Sequence, residues 1–241
     1  LQQLRAVAGL GVFAIGFLVA GLAFVFGRRG ISSELEMVNL SSHSVLAIPI
    51  HALAASRLGH DPASLSVVSR GDSTLRGHYP AETDALARGL GLRGHATLLA
   101  PFFLEGGRFT AHDMHYVLGP DGSTLTPAGE TEFAKDRAFG YRSSHLPSWV
   151  EEKTAGGHKA EEVLTLSLHT IRHGGPAAVV DALRGLPHGG SGAVIVANAL
   201  EPADMDVVAL GCMQAEAAGS FRHGLLYRSA GALVAARAAI P

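Results

Sequence analysis

Apolar runs of three to eight residues alternate with helix-like segments from residue 65 to the end of the chain. The runs at 65–68, 96–103, 163–168, 193–197 and 225–227 have strand lengths, and a continuous apolar run suits a parallel strand covered on both faces. Between them, 81–90, 176–186, 202–218 and 230–239 read as helices, the first three entered through Pro80, Pro176 and Pro202. A further helix is expected at 45–58, with Pro49 in its first turn. The alternation predicts an α/β fold, a doubly wound, mostly parallel sheet with helices on both faces. Residues 109–142 break the rhythm as a long irregular section, in which Gly119-Pro120-Asp121-Gly122 separates 115–118 from 123–126 as a hairpin. An excursion of that length in a compact domain is often functional.

The start of the chain follows a different rule. Residues 6–27 carry no charge and lie between Arg5 and Arg28-Arg29, so an apolar N-terminal helix long enough to span a bilayer is expected. That reading divides the chain into an apolar segment, 1–30, and a domain, 31–241, and gives membrane contact through 6–27. The basic pair then favours a cytoplasmic body behind the anchor.

Composition removes several function classes. With a net charge of −2 and 17% charged residues there is no concentrated basic face, so nucleic acid is not an expected partner. The single cysteine, Cys212, cannot form an internal disulfide and reads as a buried thiol in a reducing compartment. His112 and His115 have helical metal-ligand spacing but no third ligand nearby, so no metal site is expected. No G-x-x-x-x-G-K-S/T phosphate loop is present, and Gly189-Gly190-Ser191-Gly192 precedes a strand rather than a helix. The lack of a strand, G-x-G-x-x-G, helix unit counts against a nicotinamide oxidoreductase.

The candidate chemistry lies in the polar loop between the 65–68 strand and the 81–90 helix, at the carboxyl edge of the expected sheet, where ligands bind. Arg70, Asp72, Ser73, Thr74 and Arg76 crowd into it. Arginine grips carboxylates with two parallel bonds, and aspartate accepts from hydroxyls, so a polyhydroxy acid could use them all. A solvated turn with an Asx cap would use the same residues. A second loop, Glu105-Gly106-Gly107-Arg108, follows the 96–103 strand and offers backbone amides beside another guanidinium. The charged stretch Glu130-Thr131-Glu132-Phe133-Ala134-Lys135-Asp136 reads as a rim or lid.

Asp72-Ser73-Thr74-Leu75-Arg76-Gly77 resembles the signature of the four-carbon acid sugar kinase family, in its N-terminal, substrate-binding domain. Ala100-Pro101-Phe102-Phe103-Leu104-Glu105-Gly106-Gly107-Arg108, the 130–136 stretch and Arg228-Ser229-Ala230-Gly231 resemble its later motifs, in order. The resemblance runs from about residue 64 to 240; the family's acidic, glycine-containing first loop has no counterpart in 1–45.

It implies transfer of the ATP γ-phosphate to a hydroxyl of a four-carbon sugar acid, of threonate or oxo-tetronate type. Arg76 and Arg108 would hold the carboxylate, and Asp72 and Ser73 would orient hydroxyls. Arg70, Thr74, Glu105, Gly106 and Gly107 complete the expected substrate site, and no catalytic base is assignable. ATP and Mg2+ would be bound mainly by a C-terminal domain, so this chain alone is expected to be inactive as a kinase. Homo-oligomerisation is a further expectation. The alternative is a membrane-tethered acid-sugar binding module without catalysis.

Overall fold

The computed structural model describes residues 22–27, 36–39, 65–187 and 192–238. A seven-stranded sheet has the order β2-β1-β3-β10-β4-β9-β8. Its strands are β1 (Leu22–Gly27), β2 (Glu36–Asn39), β3 (Leu65–Arg70), β4 (Ala96–Ala100), β8 (Leu164–Leu166), β9 (Val194–Ala197) and β10 (Leu225–Ser229). From β3 to β8 all neighbours run parallel, whereas β1 is antiparallel to both β3 and β2. The α/β reading therefore stands, with an antiparallel edge added to it.

That edge changes the picture of the apolar N-terminal run. Its last six residues, Leu22–Gly27, form a strand whose partners run from Leu22↔Arg70 to Gly27↔Leu65. An uncharged run has no periodicity to separate a helix from a buried strand, and here the free edge of β3 decides. Residues 1–21 and the expected 45–58 helix lie outside the described residues. Among the described residues, no helix is long and apolar enough to cross a membrane.

Side-chain alternation along the strands builds two cores. Tyr227, Leu98 and Ile195 stand in one row across β10, β4 and β9 and are fully buried. They pack with α3 (Leu168–Arg184), α4 (Pro202–Ala217) and α5 (Gly231–Ala238). Leu99, Val194 and Val196 point the other way, onto Leu146, Trp149 and Val150 of α2 (Leu146–Lys153) and onto Tyr79. Glu82 of α1 (Ala81–Gly89) reaches Arg228 on that second face. Cys212 is fully buried on α4, and burial pushes its thiol up to about 12.

Several boundaries moved for local reasons. β4 stops at Ala100, before Pro101, which cannot donate to a ladder. β10 continues to Ser229 because Arg70 and Ala100 pair with it there. α3 begins eight residues before Pro176, with the Ser167 hydroxyl accepting from the Thr170 amide at 3.0 Å. Gly175 leaves helical geometry (φ 62, ψ −162), so Pro176 starts a second helical stretch rather than the helix itself.

The excursion holds a small antiparallel sheet of β5 (Arg108–Ala111), β6 (Met114–Leu118) and β7 (Leu125–Pro127), so the expected hairpin is β6–β7. Ahead of it, His112 and Asp113, at φ 50 and 63, turn β5 into β6. Asn198, just beyond β9, fastens that turn to the main sheet. Its Oδ1 accepts from the Asp113 amide at 2.8 Å, and its Nδ2 donates to Asp113 Oδ1 at 2.7 Å.

Candidate functional site

The loop from Gly71 to Pro80 leaves β3 at the carboxyl edge of the sheet, its first amide donating to the Ser229 carbonyl at 2.8 Å. Asp72 then closes the turn on itself. It accepts from the Thr74 amide (3.0 Å), the Thr74 hydroxyl (2.6 Å) and Arg76 Nε (2.5 Å). Burial pushes its carboxyl up, but the Thr74 and Arg76 bonds outweigh that and hold it below the usual carboxylate value. The Asx-turn reading of this loop is therefore realised, and Arg76 spends its Nε edge bracing it. The terminal nitrogens of Arg76 remain directed elsewhere, with Nη1 at 4.0 Å from Asp136.

Leu75, buried beneath the turn, adopts φ 66, a left-handed conformation unfavourable for a residue with a Cβ. Three donors from distant parts of the chain hold the carbonyls around it. His115 Nε2 donates to Ser73 O at 2.8 Å, Tyr141 Oη to Thr74 O at 2.6 Å, and Arg228 Nη2 to Arg76 O at 3.2 Å. Arg228 is itself buried, lies near the Tyr79 and Trp149 rings (5.4 and 5.3 Å to their centroids) and donates from Nε to Glu82 at 2.7 Å. His115 is fully buried, and desolvation lowers it from 6.5 to about 4, so it is neutral. It faces into the fold while His112 is exposed, so the two do not form a ligand pair.

The second loop is a tight turn closed by paired bonds between Phe103 and Arg108. Its glycines answer to packing. A Cβ on Gly106 would sit 2.5 Å from the Phe103 ring, and one on Gly107 (φ 68) would sit 2.7 Å from Leu118 Cβ. The Gly107 amide donates to Leu104 O at 2.8 Å, so it is spent inside the turn rather than offered to a ligand.

Arg108 projects from the start of β5, and one terminal nitrogen donates to Gly106 O. It forms no ion pair among the described residues, and its buried Nε has no hydrogen-bond partner there. Burial lowers it, Asp72 opposes that, and the like charge of Arg76 lowers it further.

The two arginines meet at Phe133. Arg76 Cζ lies 5.1 Å and Arg108 Cζ 5.3 Å from the centre of that half-buried ring. Phe133 lies in the third motif, which folds as two 3-10 turns, Ala128–Glu130 and Glu132–Lys135. The structure thus brings Asp72, Thr74, Arg76 and Arg108 together and adds Phe133 and Asp136. Ser73 takes part through its carbonyl. Glu105 is exposed, Arg70 is half-buried, and neither forms an ion pair among the described residues. The cavity under the loop, lined in part by Asp72, Trp149, Arg228 and Ser229, measures about 10 Å³, room for a water and not for a four-carbon acid.

His115, Tyr141 and Arg228 were not legible as loop supports, because each acts on a main-chain carbonyl 42, 67 or 152 residues away. Phe133 had a signal, its place in a charged motif otherwise read as rim.

The domain is of the α/β class, with Arg76, Arg108, Asp72 and the Thr74 hydroxyl gathered at the carboxyl edge of its sheet. The family model of the sugar-binding N-terminal domain matches residues 40–237. The chain belongs to that family, the N-terminal domain of the four-carbon acid sugar kinases. Haemophilus influenzae protein HI1011, of the DUF1537 family, is similar in structure at 20% identity and a TM-score of 0.52, over 70% of this chain and 36% of its own. A domain of unknown function (DUF1537) from Bordetella bronchiseptica, solved with bound citrate as a domain-swapped dimer, is similar at 23% identity and a TM-score of 0.50, over 83% of this chain and 44% of its own. Identities at that level show a shared fold, and the chain spans less than half the length of either structure. No curated protein matches the sequence significantly.

Proposed function

We propose that this domain binds a four-carbon sugar acid of the threonate or oxo-tetronate type, as the substrate-binding part of an ATP-dependent sugar-acid kinase. The observation that carries the reading is Arg108. This partly buried guanidinium has no carboxylate partner among the described residues and shares the Phe133 ring with Arg76. A buried cation without a counter-ion is costly, and a ligand carboxylate supplies one. The Bordetella relative was solved with citrate, a hydroxy-carboxylate.

In this reading Arg108 and the terminal nitrogens of Arg76 hold the carboxylate. Among the described residues Asp72 Oδ1 accepts only the Thr74 amide, which leaves a lone pair for one ligand hydroxyl. Held below the usual carboxylate value, Asp72 stays ionised and orients that hydroxyl instead of taking its proton. ATP and Mg2+ remain cofactors proposed for the complete protein. Asp72 Oδ2 is taken by Thr74 and Arg76 and the Gly107 amide by Leu104, so neither is offered to a nucleotide or its metal. Association with a second copy is proposed from the dimeric Bordetella relative alone.

Calorimetric titration with threonate, beside the neutral tetritol erythritol, tests the binding. Threonate should bind and erythritol should not. Equal binding of both, or no heat from threonate at millimolar concentration, would remove the acid-binding role.

A further inference from the structure

We propose that His115 and Tyr141 are positioning residues of the acid-binding loop, holding two consecutive carbonyls so that Asp72 and Arg76 face one another. The inference rests on the acid-binding reading of that loop and explains what the 108–145 excursion does for it.

His115 stands on β6 with both ring nitrogens engaged and no exposure to solvent. A carbonyl can only accept, so the 2.8 Å contact to Ser73 O places the proton on Nε2. Nδ1 must then accept, and the Thr110 hydroxyl donates to it across 2.9 Å. The neighbouring carbonyl, Thr74 O, receives the Tyr141 hydroxyl at 2.6 Å. Two fixed carbonyls in succession define the orientation of the peptide planes leading into Leu75.

Leu75 is the residue that needs such support. Its φ of 66 is unfavourable for leucine and persists only where the surroundings over-determine it. The left-handed step at Leu75 folds the chain back so that Arg76 Nε meets Asp72 Oδ2 and the Thr74 hydroxyl. The clamp is anchored in turn, since Asn198 fastens the β5–β6 turn to the end of β9 by two hydrogen bonds. The parallel sheet thus fixes the excursion, the excursion fixes two carbonyls, and the carbonyls fix the ligand-facing pair. Neither side chain reaches the ligand; both act through Asp72 and Arg76.

The test uses the full chain with Tyr141→Phe, which removes one hydroxyl, His115→Leu, and His115→Gln, which keeps a donor near the Nε2 position. Amide hydrogen exchange at Thr74 and Leu75, without ligand, should quicken roughly tenfold in Tyr141→Phe and His115→Leu and stay near the parent rate in His115→Gln. Unchanged protection in Tyr141→Phe would overturn the proposal, whether or not His115→Leu folds. Threonate affinity should fall about tenfold in Tyr141→Phe and show no further fall when the change is made in an Arg76→Ala background. Losses that simply add would overturn it as well. If the parent chain binds no threonate, the acid-binding reading fails while the exchange rates still decide whether the clamp exists.

Discussion

Acidification from pH 7 toward pH 4 should destabilise this domain through the fully buried imidazole of His115, with His95, which burial also lowers, adding to the loss. Burial of His115 lowers it from 6.5 to about 4, and the bond to the Ser73 carbonyl opposes that less strongly. The charges that face it are Arg108, which adds to the lowering, and Asp72, which works against it. Between those two values the unfolded chain holds a proton on His115 that the folded chain does not. The contribution of His115 is therefore fully present above about pH 6.5, falls as the pH drops, and is lost by about pH 4. A difference of about 2.5 between 6.5 and about 4, at about 1.4 kcal/mol for each, gives about 3–4 kcal/mol. Asp72, whose ordinary value is 3.8, titrates below that window and does not imitate the effect.

Urea unfolding of the parent chain and of His115→Gln at several pH values between 7.5 and 4.5 isolates the contribution, because glutamine does not titrate. The parent should lose roughly 2 kcal/mol more than the variant over that range. Parallel stability curves for the two proteins would show that His115 keeps an ordinary proton affinity and is not held as described.

Arg108→Ala should leave the unfolding midpoint nearly unchanged, since no ion pair is lost, yet weaken threonate binding by roughly 1.5–3 kcal/mol in calorimetry. Arg76→Ala should weaken binding and also cost about 0.5–1 kcal/mol of stability, because its pair with Asp72 is one-third exposed and screened by solvent. Gly107→Ala should cost about 2 kcal/mol or more by thermal melting, as its φ is 68 and the new methyl would meet Leu118 at 2.7 Å. Glu216→Ala should be more severe, about 3–5 kcal/mol, by taking away the carboxylate bonded at 2.6 Å to the buried Arg237.

The sequence by itself determined the parallel part of the sheet. Runs such as Val194–Ala197 are apolar throughout and lead into a helix that begins at proline, and local pattern is enough to specify such units. It also determined that the 71–80 loop and Arg108 come to the carboxyl edge, because a loop after a parallel strand has nowhere else to go. The pattern was silent on α2, whose Trp149 seals the second core, and on β5, which is only four residues long.

Tertiary structure alone decided the rest. Leu22–Gly27 became a strand because the edge of β3 had backbone groups to pair, and a uniformly apolar run carries no periodicity that could announce it. The packing need of the Gly106-Gly107 pair was not visible in the sequence: the Phe103 ring and the Leu118 side chain leave no space there for a Cβ. The supports under Asp72 and Arg76 come from His115, Tyr141 and Arg228, and each bond ends on a main-chain oxygen. Every residue carries such an oxygen, so no residue type marks the acceptor, and only the folded chain brings the matching donor within reach.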